Sequence, residues 1–206
     1  GTFAHNVRRI GRTVLVLSPM PAPTALRRAW CLWEVHCTAS SGATLEIAMP
    51  PRERTSLWEL LAAGSSIVVD ALCSVDLQHA ECSKAADREG ILAAVHAAPG
   101  GFGELNARVR ALLWAAVEEQ GWRAVSAAGL SLSRDDALAA GVHTAALLLQ
   151  REEAGRAEAL VRAALAAANK RSGGGGSADA LGADTPDPAT EASARLLLAR
   201  CLHRQG

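Results

Sequence analysis

Two short apolar runs on either side of a helical segment restrict the folds open to this chain more than any other feature. Thr13–Ser18 (TVLVLS) is uninterrupted and rich in β-branched residues, the composition of a strand buried in a parallel sheet. Pro19, Pro21 and Pro23 break the chain directly after it. Helical spacing then runs over Ala25–Ala39, and a second run, Thr44–Met49 (TLEIAM), stops against Pro50 and Pro51. A tight turn can join antiparallel strands, whereas strand, helix, strand in succession is a crossover. The two runs are therefore expected to lie side by side and parallel, with Ala25–Ala39 as a right-handed connection. Phe3–Ile10 reads as a short helix ahead of them.

Everything after Arg52 reads as helix or loop. Alanine and leucine dominate, and both favour helix on propensity. Arg52–Ala63, Ile67–Cys73, Ala86–Ala97 and Glu104–Gln120 are helical candidates, with PGGFG (Pro99–Gly103) between the last two. No strand precedes those glycines and no GK[ST] follows, so they mark a helix boundary rather than a phosphate loop. SRDD (Ser133–Asp136) has the pattern of a capping box opening a long alanine-rich helix. A further helix covers Ala157–Ala168, and a Gly/Ser/Asp tract at 172–186 reads as an inserted flexible loop. Asp187–Pro188 restarts a helix with a cap residue and a first-turn proline. The fold class is thus a partial α/β unit with a parallel sheet, residues 1–128, followed by an all-α segment, residues 133–206.

Charge excludes some partners. Lys+Arg and Asp+Glu both number 21, so no global field draws the chain to nucleic acid or to an anionic membrane. No run of about 18 apolar residues could span a bilayer. Gly1 is not an initiator and Gly1–Ile10 has no signal-peptide core, so the sequence reads as a piece of a longer protein. Five cysteines, odd in number and without a CxxC pair, suit reduced thiols in a cytoplasmic protein. Cys73, His79 and Cys82 are potential zinc ligands, but their spacing fits no standard site and a fourth ligand is missing. Neither a metal nor a resident cofactor is expected.

The C-terminal third contains an internal repeat. Thr144-Ala145, Leu148, Ala157-Glu158, Leu160 and Ala164-Leu165 resemble, in position, the small and large packing residues of a tetratricopeptide repeat. Leu198-Ala199, Leu202 and Gln205-Gly206 superpose on Thr144-Ala145, Leu148 and Arg151-Glu152, with Ala145 and Ala199 54 positions apart. With the glycine tract taken as an insertion, LAxxL…QG, AExL and AL resemble the tetratricopeptide repeat of kinesin light chains over about Asp135–Gly206. Glu152 stands where that family usually has Gly, and Tyr is absent. The resemblance implies about one and a half repeats. Since about three are needed to bury a solenoid core, Asp187–Gly206 is expected to pack poorly or only against Ala157–Ala168, leaving an apolar outer face. Further repeats are expected after Gly206, and the tract 172–184 is expected to be disordered.

RRAWCLWEVH (Arg27–His36) places one acid among apolar residues. On a helical wheel Leu26, Ala29, Trp30, Trp33 and Cys37 share one face, Leu32 and Val35 the opposite one, and Arg27, Glu34 and Thr38 form a narrow polar strip. An apolar strand ending in Ser18, a loop, then Trp30-Cys31-Leu32 and Glu34 before a second strand resembles the second half of a Toll/interleukin-1 receptor (TIR) domain, over about Phe3–Met49. IGRTVLVLSP…LRRAWCLWE with DREGI and GGFGELN is also similar to a group of algal and protist proteins that join a TIR-like segment to kinesin-light-chain-type repeats. In TIR domains that cleave NAD, the Glu of this motif is the catalytic carboxylate, so the resemblance maps that role onto Glu34. Such a carboxylate can hold the ribose and stabilise an oxocarbenium-like centre, in a cleft at the carboxyl ends of the strands bordered by Thr38 and the Ser18–Pro23 loop.

Two functions follow. The first is a signalling scaffold, in which the repeats hold a partner protein or peptide and the TIR-like segment can self-associate. The second is an NAD glycohydrolase that uses Glu34, with NAD as substrate and the repeats as regulator. In the first, Glu34 is structural: Arg27, Thr38 or a backbone N–H satisfies it, no cavity lies beside it, and its replacement lowers the melting temperature.

Overall fold

In a computed structural model of the chain, which describes residues 2–20, 22–64, 75–126, 132–172 and 187–205, the two apolar runs form a parallel pair. Strand β1 (Arg12–Val16) and strand β2 (Thr44–Ala48) run side by side in the register Arg12↔Thr44 to Val16↔Ala48. They make up a two-stranded sheet. Helix dominates the rest. Helix α1 (Thr2–Ile10) precedes β1, and α2 (Ala29–Ser41) connects the strands. Helices α3 (Pro51–Ala62), α4 (Ala85–Ala97), α5 (Gly101–Ser126), α6 (Arg134–Gln150), α7 (Ala154–Ser172) and α8 (Pro188–His203) follow. The expected helix at 67–73 and most of the glycine tract lie outside the described residues.

The chain groups by packing into two units, Gly1–Ser56 with Ile67–Ala116, and Leu57–Ser66 with Val117–Gly206. That grouping cuts within α3 and α5, whereas the sequence places its division at 128–133.

In the first unit, β1 is buried on one face only. Thr13 is half-buried and Leu15 buried, while Arg12, Val14 and Val16 point outward, the two valines each 46% exposed. The uninterrupted apolar run is therefore not buried on both sides as expected, because one face of this sheet is uncovered at Val14 and Val16. Arg12 and Glu46 form an ion pair across the strands on the exposed side. The core of the unit gathers Leu15 and Leu17 with Leu26, Ala29, Leu32, Val35, Ile91 and Val95. Leu32, Val35 and Val95 lose nearly all their accessible surface, and each fully buried side chain of this size contributes about 1.5–3 kcal/mol before entropy is counted.

The second unit is built on α6, α7 and α8. Leu138, Ala145, Leu148, Ala157, Leu160, Val161 and Ala164 form one cluster with Ala194, Leu197 and Cys201 of α8. Small residues set the spacing. A Cβ on Gly141 would stand 2.6 Å from Val125 Cγ1 and 2.9 Å from Ala164 Cβ, and one on Gly121 would stand 2.6 Å from the Thr144 side chain. Ser133 Oγ accepts from the Asp136 N–H at 3.0 Å and caps α6 as the SRDD pattern predicts. Asp187 likewise caps α8, accepting from the N–H of Thr190 at 3.0 Å.

The last helix departs from expectation. It packs on α6 as well as α7, with Ala194 and Cys201 fully buried. Arg204 Nη1 donates to the Leu149 carbonyl at 2.9 Å and Gln205 Nε2 to Glu158 at 2.9 Å. Two antiparallel helices leave a furrow between them, and α8 fills it with Ala194, Leu197 and Cys201. Its outer face is mixed rather than apolar: Leu196 and Leu202 are 64% and 47% exposed, and Arg195, Arg200, His203 and Arg204 are exposed with them.

Candidate functional site

The polar strip inferred for the tryptophan helix does not form. Leu26 and Arg27 belong to a separate 3-10 turn, Thr24–Arg27, and Arg28 is extended. The kink is held by a short parallel bridge in which Ala29 N–H donates to Glu81 O at 2.9 Å and Glu81 N–H to Arg27 O at 2.7 Å. Helix α2 therefore starts only at Ala29, and Arg27 leaves its wheel. Thr38 is fully buried. Its hydroxyl lies 2.7 Å from the Thr13 hydroxyl and donates to the Glu34 carbonyl at 2.7 Å, tying α2 to β1. It does not border an open cleft. The face that goes inward is Ala29, Leu32 and Val35. The tryptophans turn aside: Trp30 is exposed with its ring 5.8 Å from Phe3, and Trp33 stacks on His36 at 5.1 Å.

Glu34 is half-buried on α2. Among the described residues its carboxylate has no hydrogen bond or ion pair. Neither Arg27 nor Thr38 satisfies it, as the structural reading required. Burial raises its pKa, and the nearby Arg28 charge opposes that only in part. Cys31 and Cys37, one turn away on either side, have thiols pushed up by burial first and by the Glu34 charge second.

The loop after β1 has an anchor that sequence reasoning missed. Glu53, in the first turn of α3, accepts from Ser18 Oγ at 3.0 Å and from the Met20 N–H at 2.6 Å. It fixes the loop at the carboxyl end of β1. The visible signal was an acid two positions after Pro51, where a helix N-terminus favours negative charge.

In the second unit, a groove of about 550 Å³ opens between α6 and α8, lined by Ala146, Leu149, Gln150, Leu197, Ala199, Arg200, His203 and Arg204. Its floor is apolar, its rim carries Arg200, His203 and Arg204, and no carboxylate lines it. Positions 200, 203 and 204 share one helical face by spacing, so the cluster was legible in LARCLHRQG although the groove was not. Arg204 is held in place by its bond to Leu149 O. Arg200 makes no ion pair among the described residues.

Of the three zinc candidates, Cys73 lies outside the described residues, and His79 is surface-exposed with Nδ1 2.8 Å from Asp76. Among the described residues no group of three or more His, Cys, Asp or Glu could hold a metal, and no helix is long and apolar enough to cross a membrane. No family model, no curated protein and no solved structure matches the chain.

Proposed function

We propose that this chain is a protein-interaction scaffold, with α6–α8 acting as a tetratricopeptide-type segment that receives an acidic peptide between its first and third helices. One observation carries the reading. The α6–α8 groove combines an apolar floor with three basic side chains and no acid, the complement of an extended segment bearing carboxylates and small apolar groups. The repeat resemblance to kinesin light chains supports it, as does the burial of Thr144, Ala145, Leu148, Ala157, Leu160 and Ala164, which belong to the first copy of the repeat. A cytoplasmic location goes with this reading. Selection from a random peptide library tests it. Enriched sequences rich in Asp and Glu, with affinity lost as salt rises, are the expected result; sequences without acidic bias contradict it.

A second reading retains an enzyme. The carboxylate of Glu34 is half-buried, raised in pKa and unpaired among the described residues, as a group kept for a ligand would be. With the TIR-like resemblance, this supports an NAD glycohydrolase in which Glu34 faces the ribose. Arg28 then tempers its charge and Glu53 holds the Ser18–Met20 loop. Nicotinamide release by the full-length protein, abolished in Glu34→Gln, is the expected outcome. No release by the unaltered protein removes this reading.

A further inference from the structure

A second groove, independent of the one between α6 and α8, lies between α1 and α2. It measures about 360 Å³ and is lined by Ala4, His5, Arg8, Trp33, His36, Cys37, Ser40 and Ser41. Its size falls within the range of small-molecule sites. Arg8, His5 and His36 supply cationic or hydrogen-bonding nitrogen, Ser40 and Ser41 supply hydroxyls, and no carboxylate is among the lining residues. Helix α1 contains no acid at all, TFAHNVRRI. The guanidinium of Arg8 has no ion pair or hydrogen bond among the described residues. Trp33 offers a flat aromatic surface, and the His36 ring, also in the lining, stacks on it at 5.1 Å with 21° between planes. An unpaired guanidinium and an aromatic surface lining one carboxylate-free groove is a combination that packing alone does not require.

We infer that this groove binds a small anion attached to a flat ring, with Arg8 on the anionic group and the ring against Trp33. The anion is a phosphomonoester or a carboxylate, since both match the fork of an arginine. Burial and the Arg108 charge hold the His36 pKa below its usual range, so near neutral pH its ring serves as a neutral hydrogen-bond partner and Arg8 carries the charge.

Calorimetric titration of the chain with phenyl phosphate, benzoate, inorganic phosphate and phenol tests the inference. Phenyl phosphate or benzoate should bind one to one and at least about tenfold tighter than either inorganic phosphate or phenol, because each of those lacks one of the two contacts. Which of the two aryl anions binds tighter identifies the anionic group. Arg8→Gln should weaken binding about tenfold or more, and Trp33→Leu should bring the aryl anions down to the level of inorganic phosphate. Arg8 is exposed on α1, so its variant should keep the helical circular dichroism of the parent, which checks the fold. Two results overturn the inference. One is no saturable binding of either aryl anion at millimolar concentration, which leaves Arg8 serving the carboxyl end of α1 only. The other is binding that Arg8→Gln leaves unchanged.

Discussion

Glu152 is the described non-glycine residue with positive φ, at 64°. It ends α6 in a Schellman arrangement, in which Glu153 N–H donates to Leu148 O at 3.1 Å and Glu152 N–H to Leu149 O at 3.1 Å. The left-handed conformation is costly for any residue with a Cβ, by about 1–2 kcal/mol, and the sequence already places Glu where similar repeats have Gly. Glu152→Gly should therefore stabilise the chain by about 0.5–1 kcal/mol after the extra chain entropy of glycine is subtracted. Urea denaturation checks this, and a loss of stability contradicts it. Glu34 makes the opposite case, a side chain held in an unfavourable state. Its folded pKa is raised, so the folded chain keeps a proton that the unfolded chain releases. Stability then falls as pH rises from the ordinary glutamate range through the raised value. Glu34→Gln removes that penalty. Its melting temperature should match the parent at acidic pH and exceed it at neutral pH, contrary to the lowering expected of a packing residue. A variant less stable than the parent at neutral pH would contradict this and show a partner for the carboxylate that is not among the described residues.

At the scale of elements, sequence was most informative where a local rule had no competitor. The strands, their parallel pairing and the caps at Ser133 and Asp187 follow from apolar runs and from oxygen-bearing side chains ahead of a helix. It was least informative where a tertiary contact overrides the local pattern. The backbone bridge to Glu81 unwinds the start of the tryptophan helix, and no periodicity in RRAWCLWEVH records a partner 53 positions away from Arg28. Likewise Ala199 and Leu202, matched in sequence to the buried Ala145 and Leu148, are exposed. Helix α6 is covered by α7, α8 and the end of α5, whereas α8 is covered by α6 and α7. The close approach at Gly141 gives a direct check on that packing. Alanine there would gain about 1 kcal/mol of helix propensity, yet its Cβ would meet Val125 and Ala164 inside contact distance. Gly141→Ala should lose about 1–2 kcal/mol net, as overpacking exceeds the propensity gain. Chemical denaturation measures it, and a stabilised variant would mean that α6 and α7 sit further apart.

For the whole molecule, the proposed function is recognition of an acidic peptide by the α6–α8 groove through charge. Of that site the sequence offered only a resemblance to a helical repeat, and the spacing of Arg200, His203 and Arg204 was a signal left unread. It did not show the groove, because the groove depends on α8 docking against α6 across a 37-residue interval between the two helices. Arg200 is the right probe, since it lines the groove and its side chain has no hydrogen bond or ion pair among the described residues, whereas Arg204 also holds the Leu149 carbonyl. The most direct measurement is a charge exchange. An acidic peptide selected on the parent chain is titrated into the parent and into Arg200→Glu, then its lysine-substituted counterpart is titrated into both. The account predicts that Arg200→Glu weakens the acidic peptide by about tenfold or more and that the lysine-substituted peptide regains affinity for the variant but not for the parent. Equal binding of the acidic peptide by both proteins, with the fold unchanged, would contradict it.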